Sequence, residues 1–142
     1  MLFQWFRRKE SPLAPEHLRA GVWGEEQAER VLKKSGFRIL GRRVRVGRRD
    51  EIDLVARDGE ALVFVEVKTR ARESYGRPIS AVDRDKRRAL SRAAVRYLKA
   101  LKYPRVCFRF DVVEVVGSVG DSDPTVRHIR GAFHLDSRYR LP

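Results

Sequence analysis

Cysteine occurs once in the 142-residue chain, as Cys107. A single thiol closes no intramolecular disulfide, and no Cys-x-x-Cys spacing offers a structural zinc site or points to an oxidising compartment. The setting Val106-Cys107-Phe108 reads as a buried strand position. Long hydrophobic runs are lacking too, so nothing approaches the roughly 20 apolar residues of a membrane-spanning helix. The opening Met1-Leu2-Phe3-Gln4-Trp5-Phe6-Arg7-Arg8-Lys9 is apolar and then basic, the reverse of a signal peptide. The expected location is therefore the cytoplasm. The three histidines, His17, His128 and His134, have no ligand-like spacing, and no zinc finger or aromatic-rich RNA signature is present. Acidic residues are outnumbered: 19 Asp and Glu face 32 Lys and Arg, for a net charge of +13. A field of that size suits a polyanion, because each neutralised phosphate releases condensed counterions. It says nothing about chemistry.

What is present reads as one globular domain. The chain is 42% hydrophobic and 36% charged, and at this length it can bury roughly 70% of its unfolded surface. No repeat, low-complexity run or linker divides it. The expected core spans about 15–116, with 1–14 and 133–142 as loose termini. Pro15 opens a helix reaching about Ser35, and Gly36 supplies the left-handed stop. Strands follow over Phe37–Val46 and Glu51–Arg57, separated by the basic turn Gly47-Arg48-Arg49. An Asp58-Gly59 hairpin turn leads into Glu60–Thr69. Arg70–Pro78 is a basic loop. Asp83 caps a helix to about Leu101, with Leu90, Ala93, Ala94, Tyr97, Leu98 and Leu101 on one face. Val106–Val116 is β-rich, and Thr125–Ala132 adds a further strand. The order is α-β-β-β-α-β-(β), an α/β fold with a mixed sheet flanked by helices.

Three carboxylates stand where apolar residues are expected. On the third strand Val63, Val65 and Val67 share one face, and Leu62, Phe64, Glu66 and Lys68 share the other. On the second strand Asp53 shares a face with Glu51 and Val55, and the hairpin brings it near Glu66. Two close carboxylates in a partly apolar setting resist ionisation. A hard divalent cation, Mg²⁺ or Mn²⁺, resolves that repulsion, and a neighbouring lysine can orient an attacking hydroxide or offset phosphoryl charge. The competing reading is a salt bridge at a solvated sheet edge. On the first helix, Leu18 and Leu32 fall about 20° from Glu25, and Val22 and Ala28 about 60° away. Glu25 thus sits in the apolar stripe, needing either a metal or an arginine; Glu29 competes for the same role.

The runs Gly24-Glu25-Glu26-Gln27-Ala28-Glu29, Gly36-Phe37, Glu51-Ile52-Asp53-Leu54-Val55 and Leu62-Val63-Phe64-Val65-Glu66-Val67-Lys68-Thr69-Arg70 resemble the bacterial YraN family. The likeness continues through Tyr75-Gly76-x-Pro78, Ala81-Val82, Lys86-Arg87-Arg88 and Phe110-Asp111-Val112-Val113. That family is related to archaeal Holliday-junction resolvases within the PD-(D/E)xK nuclease superfamily. The resemblance implies a restriction-endonuclease-like core. It also implies a Mg²⁺- or Mn²⁺-dependent endonuclease, with Asp53, Glu66 and Lys68 catalytic and Glu25, Asp53 and Glu66 as metal ligands. Glu25 rather than Glu26 or Glu29 matches the helix-one glutamate, and a homodimer is left open. Asp50 is a departure, since the family usually has glycine there.

The expected partner is DNA, held by Arg70, Arg72, Arg77, Lys86, Arg87 and Arg88; Arg92, Arg96 and Lys99 continue a stripe along the second helix. These would position a backbone without reading sequence. The expected activity is hydrolysis of DNA phosphodiesters, on branched or single-stranded intermediates among others. The alternatives are a non-catalytic nucleic-acid-binding protein that keeps the fold, and an assembly factor using the basic face.

Overall fold

The computed structural model describes residues 15–72 and 82–142. Tyr75, Gly76, Arg77, Pro78 and Ala81 therefore lie outside the described residues. The elements are α1 (Glu16–Lys34), β1 (Arg38–Val46), β2 (Asp50–Asp58), β3 (Ala61–Arg70), α2 (Arg84–Ala100), β4 (Phe108–Val116) and β5 (Thr125–Phe133). This is the expected α/β order, and it is consistent with a restriction-endonuclease-like core.

The strands form one sheet in chain order, β1-β2-β3-β4-β5. Three antiparallel junctions can be joined by short connections, but β3 and β4 run parallel. A parallel pair needs a long crossover, and α2 lies within that crossover. The helices fall on opposite faces. Ala28 and Leu32 of α1 pack with Leu54, Ala56, Val63, Val65, Val113 and Val115. Leu90, Ala93, Ala94, Tyr97 and Leu98 of α2 pack with Ile52, Val55, Leu62, Phe64, Phe110 and Val112.

Local signals set the boundaries. Gly36 closes α1 at φ +90°, and Phe37 N–H folds back onto the Leu32 carbonyl at 3.0 Å, the glycine-ended cap expected of its sequence. Asp83 accepts the Lys86 N–H at 2.8 Å and caps α2. The β2–β3 turn is one residue later than expected, at Gly59-Glu60, because Asp58 is still paired with Ala61. Cys107 is exposed rather than buried, since β4 begins only at Phe108. Leu18 and Leu101 are both 40% exposed, because Leu18 lies in the first turn of α1 and Leu101 caps α2 just past its last residue. No helix among the described residues is long and apolar enough to cross a membrane.

Candidate functional site

The site begins where two strands part. The β2–β3 ladder runs from Asp58↔Ala61 to Leu54↔Val65 and stops. Its next rung would set Asp53 opposite Glu66. Instead, the Val67 N–H donates to Asp53 Oδ2 at 2.9 Å, so a side chain takes over the role of a backbone acceptor. The alternation of β2 slips at the same place. Ile52 and Val55 both pack on the α2 side, while Leu54 and Ala56 pack on the α1 side. Strict period two would group Ile52 with Leu54 and set both opposite Val55; the strand instead turns about its axis at Asp53.

Asp53 and Glu66 are brought together, as expected from the hairpin. Burial raises both carboxyls, and the Asp53 charge further raises Glu66, to about 8. Lys86, from the first turn of α2, places Nζ 3.5 Å from Glu66 Oε1, while Glu66 Oε2 is buried with no hydrogen-bond partner. A cleft of about 230 Å³ opens beside the pair, walled by Arg49, Glu51, Asp53 and Lys86 among others. Lys68, one alternation beyond Glu66, is part-exposed and has no ion-pair partner among the described residues.

Glu25 arrives from the other face. A Cβ on Gly24 would stand 1.9 Å from Thr69 Oγ1, so only glycine lets α1 approach β3 this closely. That contact sets the next residue, Glu25, at the end of the sheet, where burial pushes its carboxyl up to about 7 and the Asp53 and Glu51 charges add to the rise. Arg43 Nε donates to Glu25 Oε2 at 2.7 Å. Glu29 is separately engaged by Arg42, whose Nε lies 3.0 Å from Oε2, and by Lys33 at 3.4 Å. Both helix glutamates thus have arginine partners. Among the described residues no three His, Cys, Asp or Glu side chains form a ready ligand set. The Asp53–Glu66 pair, with its orphaned buried oxygen, does fit a hard divalent cation chemically.

The basic residues divide. Arg72, Lys86 and Arg87 are exposed, and Arg70 is partly so. Arg88 is directed toward Asp136, with Nε 3.7 Å from Oδ2, and Arg92 is taken up by Asp50. The helix stripe is therefore partly an internal ion-pair system.

Sequence reasoning missed Arg43, Arg49 and Glu114. Nothing local marked Arg43 or Arg49 among so many arginines. Glu114 carried a signal: it shares parity with Phe110 and Val112 and stands beside Lys68 in the parallel register. It is 1% exposed. Its Oε1 lies 4.0 Å from Arg127, and its Oε2 has no hydrogen-bond partner.

Comparison with known proteins places the chain. The profile described as "Uncharacterised protein family UPF0102" matches residues 24–115. A UPF0102 protein of Chlorobaculum tepidum is 43% identical over 129 residues, covering 88% of this chain and 98% of that protein. One from Symbiobacterium thermophilum is 50% identical over 117 residues, covering 82% and 97%. One from Desulfosudis oleivorans is 47% identical over 115 residues, covering 80% and 88%. The matched span contains Glu25, Asp53, Glu66 and Lys68, and runs from the Gly24–Thr69 contact to the strand beside Lys68. The chain belongs to the UPF0102 family, the YraN-type group that its motifs resemble.

Proposed function

We propose that this protein is a nuclease that hydrolyses DNA phosphodiester bonds with a divalent cation, Mg²⁺ or Mn²⁺, at Asp53 and Glu66. The observation that carries this reading is the buried, mutually repelling Asp53–Glu66 pair, set where β2 and β3 separate, with one Glu66 oxygen lacking any partner. A bound cation would lower the pKa of water and polarise the phosphate. Asp53 and Glu66 would hold it, with Glu25 as a third carboxylate once released from Arg43. The residues have separate tasks. The Val67 N–H fixes Asp53 through Oδ2, and Oδ1 is not part of that bond. Lys86 offsets charge on Glu66. Lys68 supplies an ammonium for the charge developing on the scissile phosphate. Exposed or part-exposed Arg70, Arg72 and Arg87 would contact the DNA backbone, and the reading extends to Arg77.

The test is cleavage of labelled linear, single-stranded, flapped and four-way-junction DNA, with Mg²⁺ or Mn²⁺ and with chelator, beside Asp53→Asn. Cutting that needs metal and vanishes in the variant supports the reading; metal-dependent cutting retained by the variant removes it. The second reading, a non-catalytic nucleic-acid-binding protein, is favoured by one observation: Glu25 and Glu66 already face protein cations, Arg43 and Lys86. Tight binding indifferent to metal, without cleavage of any substrate, would establish it instead.

A further inference from the structure

Arg43 holds a conformation that its residue type disfavours. Its φ is +44°, in the left-handed region where a Cβ crowds the backbone. The β1–β2 ladder skips it: Arg42 pairs with Leu54 and Val44 with Ile52, and the rung between them, Arg43 opposite Asp53, is missing. Residues held in such conformations persist only where surrounding contacts over-determine them. One such contact is visible. Nε lies 2.7 Å from Glu25 Oε2, with side chains only 21% and 19% exposed. Glu25 in turn is fixed by the close approach of Gly24 to Thr69. A left-handed backbone on β1 and a close helix–strand approach on α1 therefore converge on the Arg43–Glu25 ion pair. That pair sets a fixed positive charge beside the carboxylates of the candidate site.

We propose that Arg43 is a positioning residue acting through Glu25: its guanidinium stands in for the divalent cation, and Glu25 exchanges the arginine for the ion when the ion binds. The inference rests on the metal-site reading above and adds a competition within the protein to it. Cation binding must break the Arg43–Glu25 bond, so the arginine sets how tightly the ion is held. Arg42 serves as the internal comparison. It is the neighbouring arginine on the same strand and also pairs with a helix glutamate, but its partner is Glu29, one turn farther along α1.

The experiment is calorimetric titration of Mn²⁺ into the chelator-stripped full chain, comparing wild type with Arg43→Gly, Glu25→Gln, the double variant and Arg42→Gln. Glycine accepts φ +44° without strain. Arg43→Asn, which also tolerates it, is the second variant, and thermal melts monitor folding. Removing the competing cation should tighten Mn²⁺ binding on the order of tenfold. The gain should vanish when Glu25→Gln is added, and Arg42→Gln should match wild type. Mn²⁺ affinity that is unchanged or weaker in Arg43→Gly and Arg43→Asn, while wild type binds the ion, overturns the exchange and leaves the metal site standing. A gain that persists without Glu25 also overturns it. If neither wild type nor the Arg43 variants bind Mn²⁺, the metal-site reading falls and takes this inference with it. Binding by the variants alone would support the exchange in its strongest form.

Discussion

Arg92 reaches across from α2 and grips Asp50 at the first residue of β2, with Nε and Nη2 each 2.7 Å from a carboxylate oxygen. Asp50 is 8% exposed, so the fork satisfies a charge that has little access to water. Arg92→Ala should cost about 2–3 kcal/mol by urea unfolding, because it leaves that charge buried and unpaired. Adding Asp50→Gly should recover part of the loss, whereas additive costs would show that the two residues do not act as a pair. Arg92 holds the Asp50 carboxyl below its ordinary 3.8. A depressed acid contributes stability that is present above its unfolded value and lost as pH falls through the folded one. This pair should therefore begin to fail below about pH 4.

The acids of the site act in the opposite sense. Glu66 is raised to about 8 and Glu25 to about 7, both from 4.5 and both chiefly by burial. The folded protein then holds protons that the unfolded chain has released, so stability falls as pH rises from about 4.5 toward 8. In chelator, the melting temperature should decline across that window, and Glu66→Gln should flatten much of the decline. A profile unchanged by Glu66→Gln would mean that this carboxyl is ordinary.

Gly24→Ala tests the approach of α1 to β3. Alanine normally favours a helix by up to about 1 kcal/mol over glycine. Here its Cβ would stand 1.9 Å from Thr69 Oγ1, and overpacking of that kind costs about 1–3 kcal/mol. We expect a net loss of stability, partly reversed by Thr69→Ala. A stabilised Gly24→Ala protein would show that the contact is loose.

Two buried aspartates should respond differently to substitution. Asp111 is fully buried and accepts from Arg109, His128 and the Gly131 N–H. Asp111→Ala should cost about 1–3 kcal/mol, because it removes the buried acceptor shared by His128, the Gly131 N–H and Arg109 and leaves Arg109 with Asp58 alone. Asp53→Asn keeps an acceptor for the Val67 N–H and should melt within a few degrees of wild type; under the proposed nuclease reading it loses cleavage. Comparable melting of the two variants would remove this division between structural and functional acids.

Salt dependence separates the arginines. Arg87 is exposed, whereas Arg92 is committed to Asp50. If Arg87 contacts a phosphate, Arg87→Gln should reduce the slope of log K against log salt by about 0.9 on duplex DNA. Arg92→Gln should leave the slope unchanged and lower the melting temperature. Equal slopes for wild type and Arg87→Gln would take Arg87 out of the interface.

The parts of the molecule written in local chemistry were legible in the sequence. Gly36, Asp83 and the valine alternation on β3 each act through near neighbours, and each lies where those neighbours imply. The pairing of Asp53 with Glu66 followed from a hairpin for the same reason. What escaped depended on three-dimensional departures from regularity. The slip in alternation at Asp53 arises from a ladder that ends one rung early, and no residue type announces it. Arg43 is one arginine among many until its φ is known. Glu25 was placed on the inward stripe correctly, with metal and arginine both open as partners; in the fold Arg43 engages it. Cys107 was misjudged because an apolar tripeptide reads as strand even where the chain is still leaving the α2 crossover.

The parallel junction of β3 with β4 has a consequence for the order in which the molecule can be made. Asp53 and Glu66 are joined through a two-residue turn, so their strands can pair as soon as both have been synthesised. The β3–β4 register, with Glu66 beside Val112 and Lys68 beside Glu114, needs the whole crossover first. Contacts so distant in sequence form late because the loop-closure entropy must be met before they contribute. During synthesis from the N-terminus, the acids are thus assembled on an open meander, and Lys86 and the α2 wall reach them only afterwards.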